Sequence, residues 1–186
     1  MPYDGGDGVL VSVDCFKCFR DQEPSMPVFQ VESHVDAPVE RVWSFHSTVE
    51  GLEALTPNFL RLEVLEVRGP DGDRVAESSE LVEGSELSMR LAPFRAVPSL
   101  TWTSRIVERV QRPGEAYFVD EMVEGPFDHW RHRHDFTSMD DGTRVEDRLE
   151  YELPWWMLGR FGWPMFELQA RLLFRHRHRE LARLIE

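Results

Sequence analysis

Residues 125–154 read GPFDHWRHRHDFTSMDDGTRVEDRLEYELP, opening on a Gly-Pro breaker and closing on a proline. Asp140-Asp141-Gly142-Thr143, in the middle, is an acidic-glycine turn signal flanked by two arms of similar length. The stretch predicts a long β-hairpin. Side chains alternate faces along a strand. Trp130, His132, His134 and Phe136 therefore share one face of the first arm, and Arg131, Arg133 and Asp135 the other. In the second arm Val145, Asp147, Leu149, Tyr151 and Leu153 oppose a wholly charged set. The apolar face turns inward and carries two histidines, an aspartate and a tyrosine with it. A dry core rarely recruits such groups.

Downstream of the hairpin, residues 155–162 form an apolar loop containing Trp155-Trp156, read as a lid or a dimer contact. Pro164 then opens a helix to about Ile185, with Phe166, Ala170, Leu173, Phe174, Leu181 and Leu184 as its apolar face. Arg175, His176, Arg177, His178 and Arg179 read as a solvated face of that helix. The alternative is a docking patch for an acidic partner, which would make the protein an interaction module.

Upstream, Val28–Val35 alternates as a strand. Asp36 and Pro38 mark a helix start, followed by Val39, Val42, Trp43 and His46 at helical spacing. Gly51 interrupts, and residues 52–55 suggest a second short helix. Strands are expected at 60–67, 75–83, 86–91, 100–110 and 116–123, with turn signals between them. Phe118, Asp120 and Met122 share a face in the last of these. Trp102, Ser104, Ile106 and Glu108 share one in the strand before it.

Residues 1–26, with three glycines interleaved with aspartates, read as a poorly ordered extension. Residues 27–186 form one domain. Cys15 and Cys18 lack the context of a redox or zinc motif. The formal net charge of −13, with Lys17 as the single lysine, argues against nucleic-acid binding. No apolar run reaches the roughly 20 residues that span a bilayer, and no secretion signal opens the chain. A cytoplasmic protein is expected.

The order strand, two short helices, antiparallel meander, long helix gives an α+β fold: a curved sheet of six to seven strands around one helix, with an apolar cavity between them. On Ala37-Pro38, Val42-Trp43, Gly125-Pro126-Phe127, the Trp130-x-His132-x-His134-x-Phe136 strand, Gly142-Thr143, Asp147, Tyr151 and Pro154, residues 27–185 resemble the START-like superfamily. That superfamily is also called SRPBCC or Bet v 1-like. The resemblance is to its bacterial polyketide cyclase/dehydrase or cell-division-inhibitor-like branch. It implies a helix-grip domain that binds a hydrophobic or amphipathic small molecule such as a lipid, a quinone or a polyketide-like compound. It leaves open a cyclase/dehydrase-type enzyme.

The expected ligand-binding set is Phe118, Asp120, Trp130, His132, His134, Phe136, Asp147 and Tyr151. Asp147 lies opposite or diagonal to His134, and Tyr151 near His132. The polar cluster has three readings: groups that satisfy one another and pin the hairpin register, an anchor for a ligand's polar end, or a His132/His134 acid–base pair oriented by Asp147. Two histidines and a carboxylate also match a zinc or iron ligand set. Residues two apart on a strand point in parallel, however, so neither metal nor cofactor is expected. His34 and His46 read as surface or packing residues. A homodimer and a monomer fit equally well.

Overall fold

The computed structural model describes residues 26–92, 99–154 and 162–185. The Trp155-Trp156 loop and the 1–25 extension, including Cys15 and Cys18, lie outside them.

The hairpin arms are β6 (His129–Met139) and β7 (Gly142–Glu152). Met139 pairs with Gly142 across a two-residue turn. Gly142 has φ +147°, and a Cβ there would sit 2.2 Å from the Val35 carbonyl oxygen. The glycine thus lets β1 (Val28–Val35) pass close to the turn. β1 pairs antiparallel with β7, and Val31 faces Asp147.

The remaining elements are α1 (Val39–His46), α2 (Val49–Leu55), a 3-10 turn at Asn58–Leu60, β2 (Glu63–Arg68), β3 (Glu86–Leu91), β4 (Leu100–Arg112), β5 (Glu115–Glu124) and α3 (Gly162–Ile185). The seven strands form one antiparallel sheet in the order β1-β7-β6-β5-β4-β3-β2. α3 packs on β1 and α2, and α1 covers β5, β6 and β7. This is the expected helix-grip arrangement. No helix among the described residues is long and apolar enough to cross a membrane.

Inward residues build three apolar clusters. One joins Val42, Trp43 and Phe136 to Leu181 and Ile185. A second joins Phe29, Leu149 and Tyr151 to Phe166 and Phe174. A third sits under β2–β4 with Val67, Leu87, Met89 and Ile106. Each fully buried large apolar side chain contributes about 2–3 kcal/mol.

Several local expectations are corrected. α1 starts after Pro38 with no side-chain cap, so Asp36 is not its N-cap. Gly51 lies inside α2 rather than interrupting it, and Thr48 Oγ1 caps that helix by accepting from the Gly51 N–H at 3.1 Å. Residues 75–83 are not a strand. The polar run Glu77–Glu80 turns, Ser79 N–H donates to the Ala76 carbonyl, and Leu81 N–H donates to the Ser47 carbonyl. The 60–67 stretch becomes a 3-10 turn followed by β2. A register shift between Val64 and Glu66 then turns Glu66 outward. A second shift, between Ile106 and Glu108, sends Glu108 outward to Arg131 and Arg109 inward over Trp43.

α3 buries Phe166, Ala170, Phe174, His178, Leu181 and Ile185, while Leu184 is exposed. A spacing of four, four, four, three and four keeps one stripe down the helix. His178 belongs to that stripe and not to a solvated block.

Candidate functional site

The site is assembled on the centre of β6. β7 sets Asp147 directly opposite His134, and β5 sets Asp120 opposite His132 and Phe118 opposite His134. α3 lowers His178 onto the group, and β1 contributes Ser33 from its inward face.

Asp147 gathers three imidazoles. His132 Nε2 lies 3.0 Å and His134 Nδ1 2.6 Å from its Oδ1, and His178 Nε2 lies 2.6 Å from its Oδ2. Ser33 Oγ lies 2.5 Å from His178 Nδ1, so the hydroxyl donates there when His178 Nε2–H donates to Asp147. On the other side Asp120 Oδ1 lies 3.3 Å from His134 Nε2 and 3.7 Å from His132 Nδ1. Ser104 Oγ donates to Asp120 Oδ2 at 2.7 Å. One chain of polar groups thus runs Ser33, His178, Asp147, His132 with His134, Asp120, Ser104.

Aromatic rings enclose it. Phe118 stacks on His134 with centroids 4.1 Å apart, and Phe174 meets His132 edge-on at 5.1 Å. His46 packs on Phe136 at 4.7 Å. Side-chain exposure is 19% at Asp120 and 2% at His178, so the cluster meets solvent at its Asp120 end.

Burial and charge act in opposite directions here. Burial alone would raise Asp147, but the His134 charge and hydrogen bonds from His132, His134 and His178 hold it well below the usual carboxylate range. Asp120 is lowered in the same way: burial opposes, and His134, His132 and Ser104 prevail. Burial and the neighbouring His134 push His132 down. Burial would also lower His134, but Asp147 and Asp120 on its two nitrogens raise it. His46 is lowered to about 3, mainly by burial; its Nδ1–H donates to the Val42 carbonyl at 2.9 Å. The two neighbouring imidazoles are therefore polarised in opposite senses.

Of the residues expected from sequence, His132, His134, Asp147, Asp120 and Phe118 come together. Phe136 is fully buried one pair along, against Trp43 and His46. Tyr151 is fully buried opposite Trp130, its ring on Phe166 at 4.6 Å. Trp130 is half-buried against Phe127 and Phe166.

Three residues were missed as site members: His178, Ser33 and Ser104. Each carried a signal. Ser33 and Ser104 sit in phase with inward apolar neighbours on their strands, and His178 falls four after Phe174 and three before Leu181.

Neither of two recesses formed by described residues lies between the cluster and α3. One is a crevice of about 10 Å³ beside Val39, Trp43 and Ala116. The other is an open groove of about 460 Å³ on the outer face, lined by Glu66, Arg68, Glu86 and Arg105 among others. At the level of Asp147 the expected hollow is occupied by His178 and Phe174. Asp120, His132 and His134 present a nitrogen or carboxylate oxygen each, all within 4.8 Å of one another.

A family model described as polyketide cyclase / dehydrase and lipid transport matches residues 35–176. Among solved structures, a START superfamily protein from Mycobacterium smegmatis is similar at 17% identity and a TM-score of 0.56, over 85% of this chain and 96% of that one. Ara h 8.0201 is similar at 11% identity and a TM-score of 0.52, over 84% and 98%. A nucleoside-diphosphate sugar epimerase from Corynebacterium glutamicum is similar at 22% identity and a TM-score of 0.54, over 83% of this chain but 28% of that one. These likenesses show the START-like, Bet v 1-like fold. A comparison with curated proteins found no match. With the family model spanning both the hairpin and most of α3, the chain belongs to the polyketide cyclase / dehydrase and lipid transport family.

Proposed function

We propose that the protein binds a hydrophobic or amphipathic small molecule of lipid, quinone or polyketide-like character on the concave side of the sheet. One observation carries this reading. α1 and α3 cover β1, β7, β6 and part of β5, yet the inward-facing Trp102, Phe118, Met122 and Trp130 stay half-buried around the accessible end of the polar cluster. Apolar walls with a few convergent polar groups are what such ligands require. Asp120 meets the ligand's polar group. His132, His134 and Asp147 hold Asp120 in place, and Phe136 and Tyr151 form the rigid back wall. Family membership supports the same reading.

The test is native mass spectrometry and organic extraction of protein purified from its own host. A co-purifying apolar compound is expected, with retention reduced at least about tenfold in Phe118→Ala and Trp130→Ala. Consistently empty protein that also takes up no lipid or quinone from a panel would refute the proposal.

A second reading follows from the oppositely polarised imidazoles. Paired titratable groups pushed apart are how acid and base roles are divided, so His132 as base and His134 as acid suit a dehydrase-type step on a carbonyl compound. Turnover lost in His134→Ala with binding nearly intact is its signature. Equal loss of both leaves recognition alone.

A further inference from the structure

The sequence suggested that neighbouring imidazoles on one strand point in parallel and do not converge. The structure departs from this because the two rings offer different nitrogens. His132 turns Nε2 to Asp147 and His134 turns Nδ1 to the same oxygen, at 3.0 and 2.6 Å. His132 Nε2 hydrogen-bonds Asp147 and His134 Nε2 hydrogen-bonds Asp120, while His134 Nδ1 stands 2.6 Å from Asp147 Oδ1. His132 Nδ1 and His134 Nε2 both face Asp120 Oδ1, 3.7 and 3.3 Å away.

Two imidazole nitrogens and a carboxylate oxygen thus converge on one space, which holds either a proton or a metal ion. A single proton on His134 Nε2 serves the 3.3 Å contact and leaves His132 Nδ1 facing the carboxylate. A divalent ion serves all three donors. Bonds of about 2.0–2.1 Å in a tetrahedral site put neighbouring ligand atoms about 3.4 Å apart, which the two spacings to Asp120 Oδ1, 3.3 and 3.7 Å, match. Ser104 holds Asp120 Oδ2 at 2.7 Å, which leaves Oδ1 to coordinate. The carboxylate behind both histidines, itself held by His178, is the outer support that metal-bound imidazoles need. Two imidazoles with one carboxylate suit a first-row transition ion and not magnesium or calcium, which prefer all-oxygen sites.

We propose that His132 Nδ1, His134 Nε2 and Asp120 Oδ1 form a three-ligand site for a divalent transition metal, with zinc the best match. The fourth position opens at the solvent-reached Asp120 end. The site stands independently of whether a hydrophobic ligand binds beside it.

Full-length protein stripped with a chelator is reloaded with Zn²⁺ or Co²⁺, desalted and analysed for metal. One equivalent is expected, and the cobalt form should show the intense visible absorption of tetrahedral coordination. Asp120→Asn and His132→Ala should lose at least about 100-fold in affinity, and Asp147→Asn about 10–100-fold through the outer shell. Circular dichroism reports which variants fold. If His132→Ala does not, the rim variant Asp120→Asn and the wild-type stoichiometry still decide. Folded wild-type protein that retains well under one equivalent of zinc, cobalt, iron, manganese or nickel overturns the proposal and leaves a shared proton only. So does retention unchanged in Asp120→Asn.

Discussion

His178 Nε2 lies 2.6 Å from Asp147 Oδ2, so a polar contact at the heart of the core fastens the last helix to the hairpin. Both groups are buried. His178→Ala leaves a buried carboxylate oxygen and Ser33 without this partner, and should cost about 3 kcal/mol in urea unfolding. Ser33→Ala, which removes the outer link alone, should cost about 1 kcal/mol.

The histidines also set how metal-free protein responds to acid. His46, lowered to about 3, and His132, also lowered, bind protons more readily unfolded than folded. Stability should therefore fall as pH drops below about 6.5, by up to about 1.4 kcal/mol per pH unit for each such group. Asp147, held well below 3.8, adds its loss only in stronger acid. His134 is raised, so its contribution is complete below 6.5 and fades as pH rises through its folded value. Unfolding curves with chelator present should show this acid slope, shallower in His46→Phe. An unchanged slope in that variant would discount His46.

Gly51 reverses a familiar helix rule. Alanine in a helix interior is usually better than glycine by about 1 kcal/mol. A Cβ on Gly51 would stand 1.9 Å from the Phe45 carbonyl oxygen, where α1 meets α2. Gly51→Ala should destabilise by about 2 kcal/mol or more, read as a lower denaturation midpoint.

Two arginines of the sheet should behave differently. Arg131 bonds Glu121 and Glu108 on the solvent side, and Arg131→Ala should cost less than about 1 kcal/mol. Arg109 lies over the Trp43 ring at 4.5 Å and donates to Ser47 Oγ at 3.2 Å. Arg109→Ala should cost about 1–2 kcal/mol. Equal costs in parallel melts would argue against the inward role of Arg109.

The hairpin was legible because its period-two pattern is unbroken from Trp130 to Phe136 and from Val145 to Leu153. That pattern placed His132, His134 and Asp147 on one inward face, and β5 supplied Asp120 in phase. β2 and β4 read less well, since each carries a register shift and an added residue swaps every later side chain to the other face. Glu108 was misplaced for that reason. His178 escaped because it sits among Arg175, Arg177 and Arg179. A charged neighbourhood suggests water, yet a histidine in phase with Phe174 and Leu181 is carried inward wherever a carboxylate awaits it. Residues 75–83 looked like a strand by spacing, but nothing in spacing reports that Leu81 turns back to Ser47.

The pairing of β1 with β7, and of Ser33 with a histidine 145 positions later, has a consequence for biosynthesis. At ribosomal speeds of about 5–20 residues per second, His178 follows Asp147, 31 positions earlier, by about 2–6 s. Through that interval the nascent hairpin carries an aspartate and two imidazoles without the cover of the final helix. Such long-range closure makes for slow folding. A newly made chain therefore keeps its most polar interior wet until its last segment emerges, and relies on charge, not on packing, to stay apart from its neighbours.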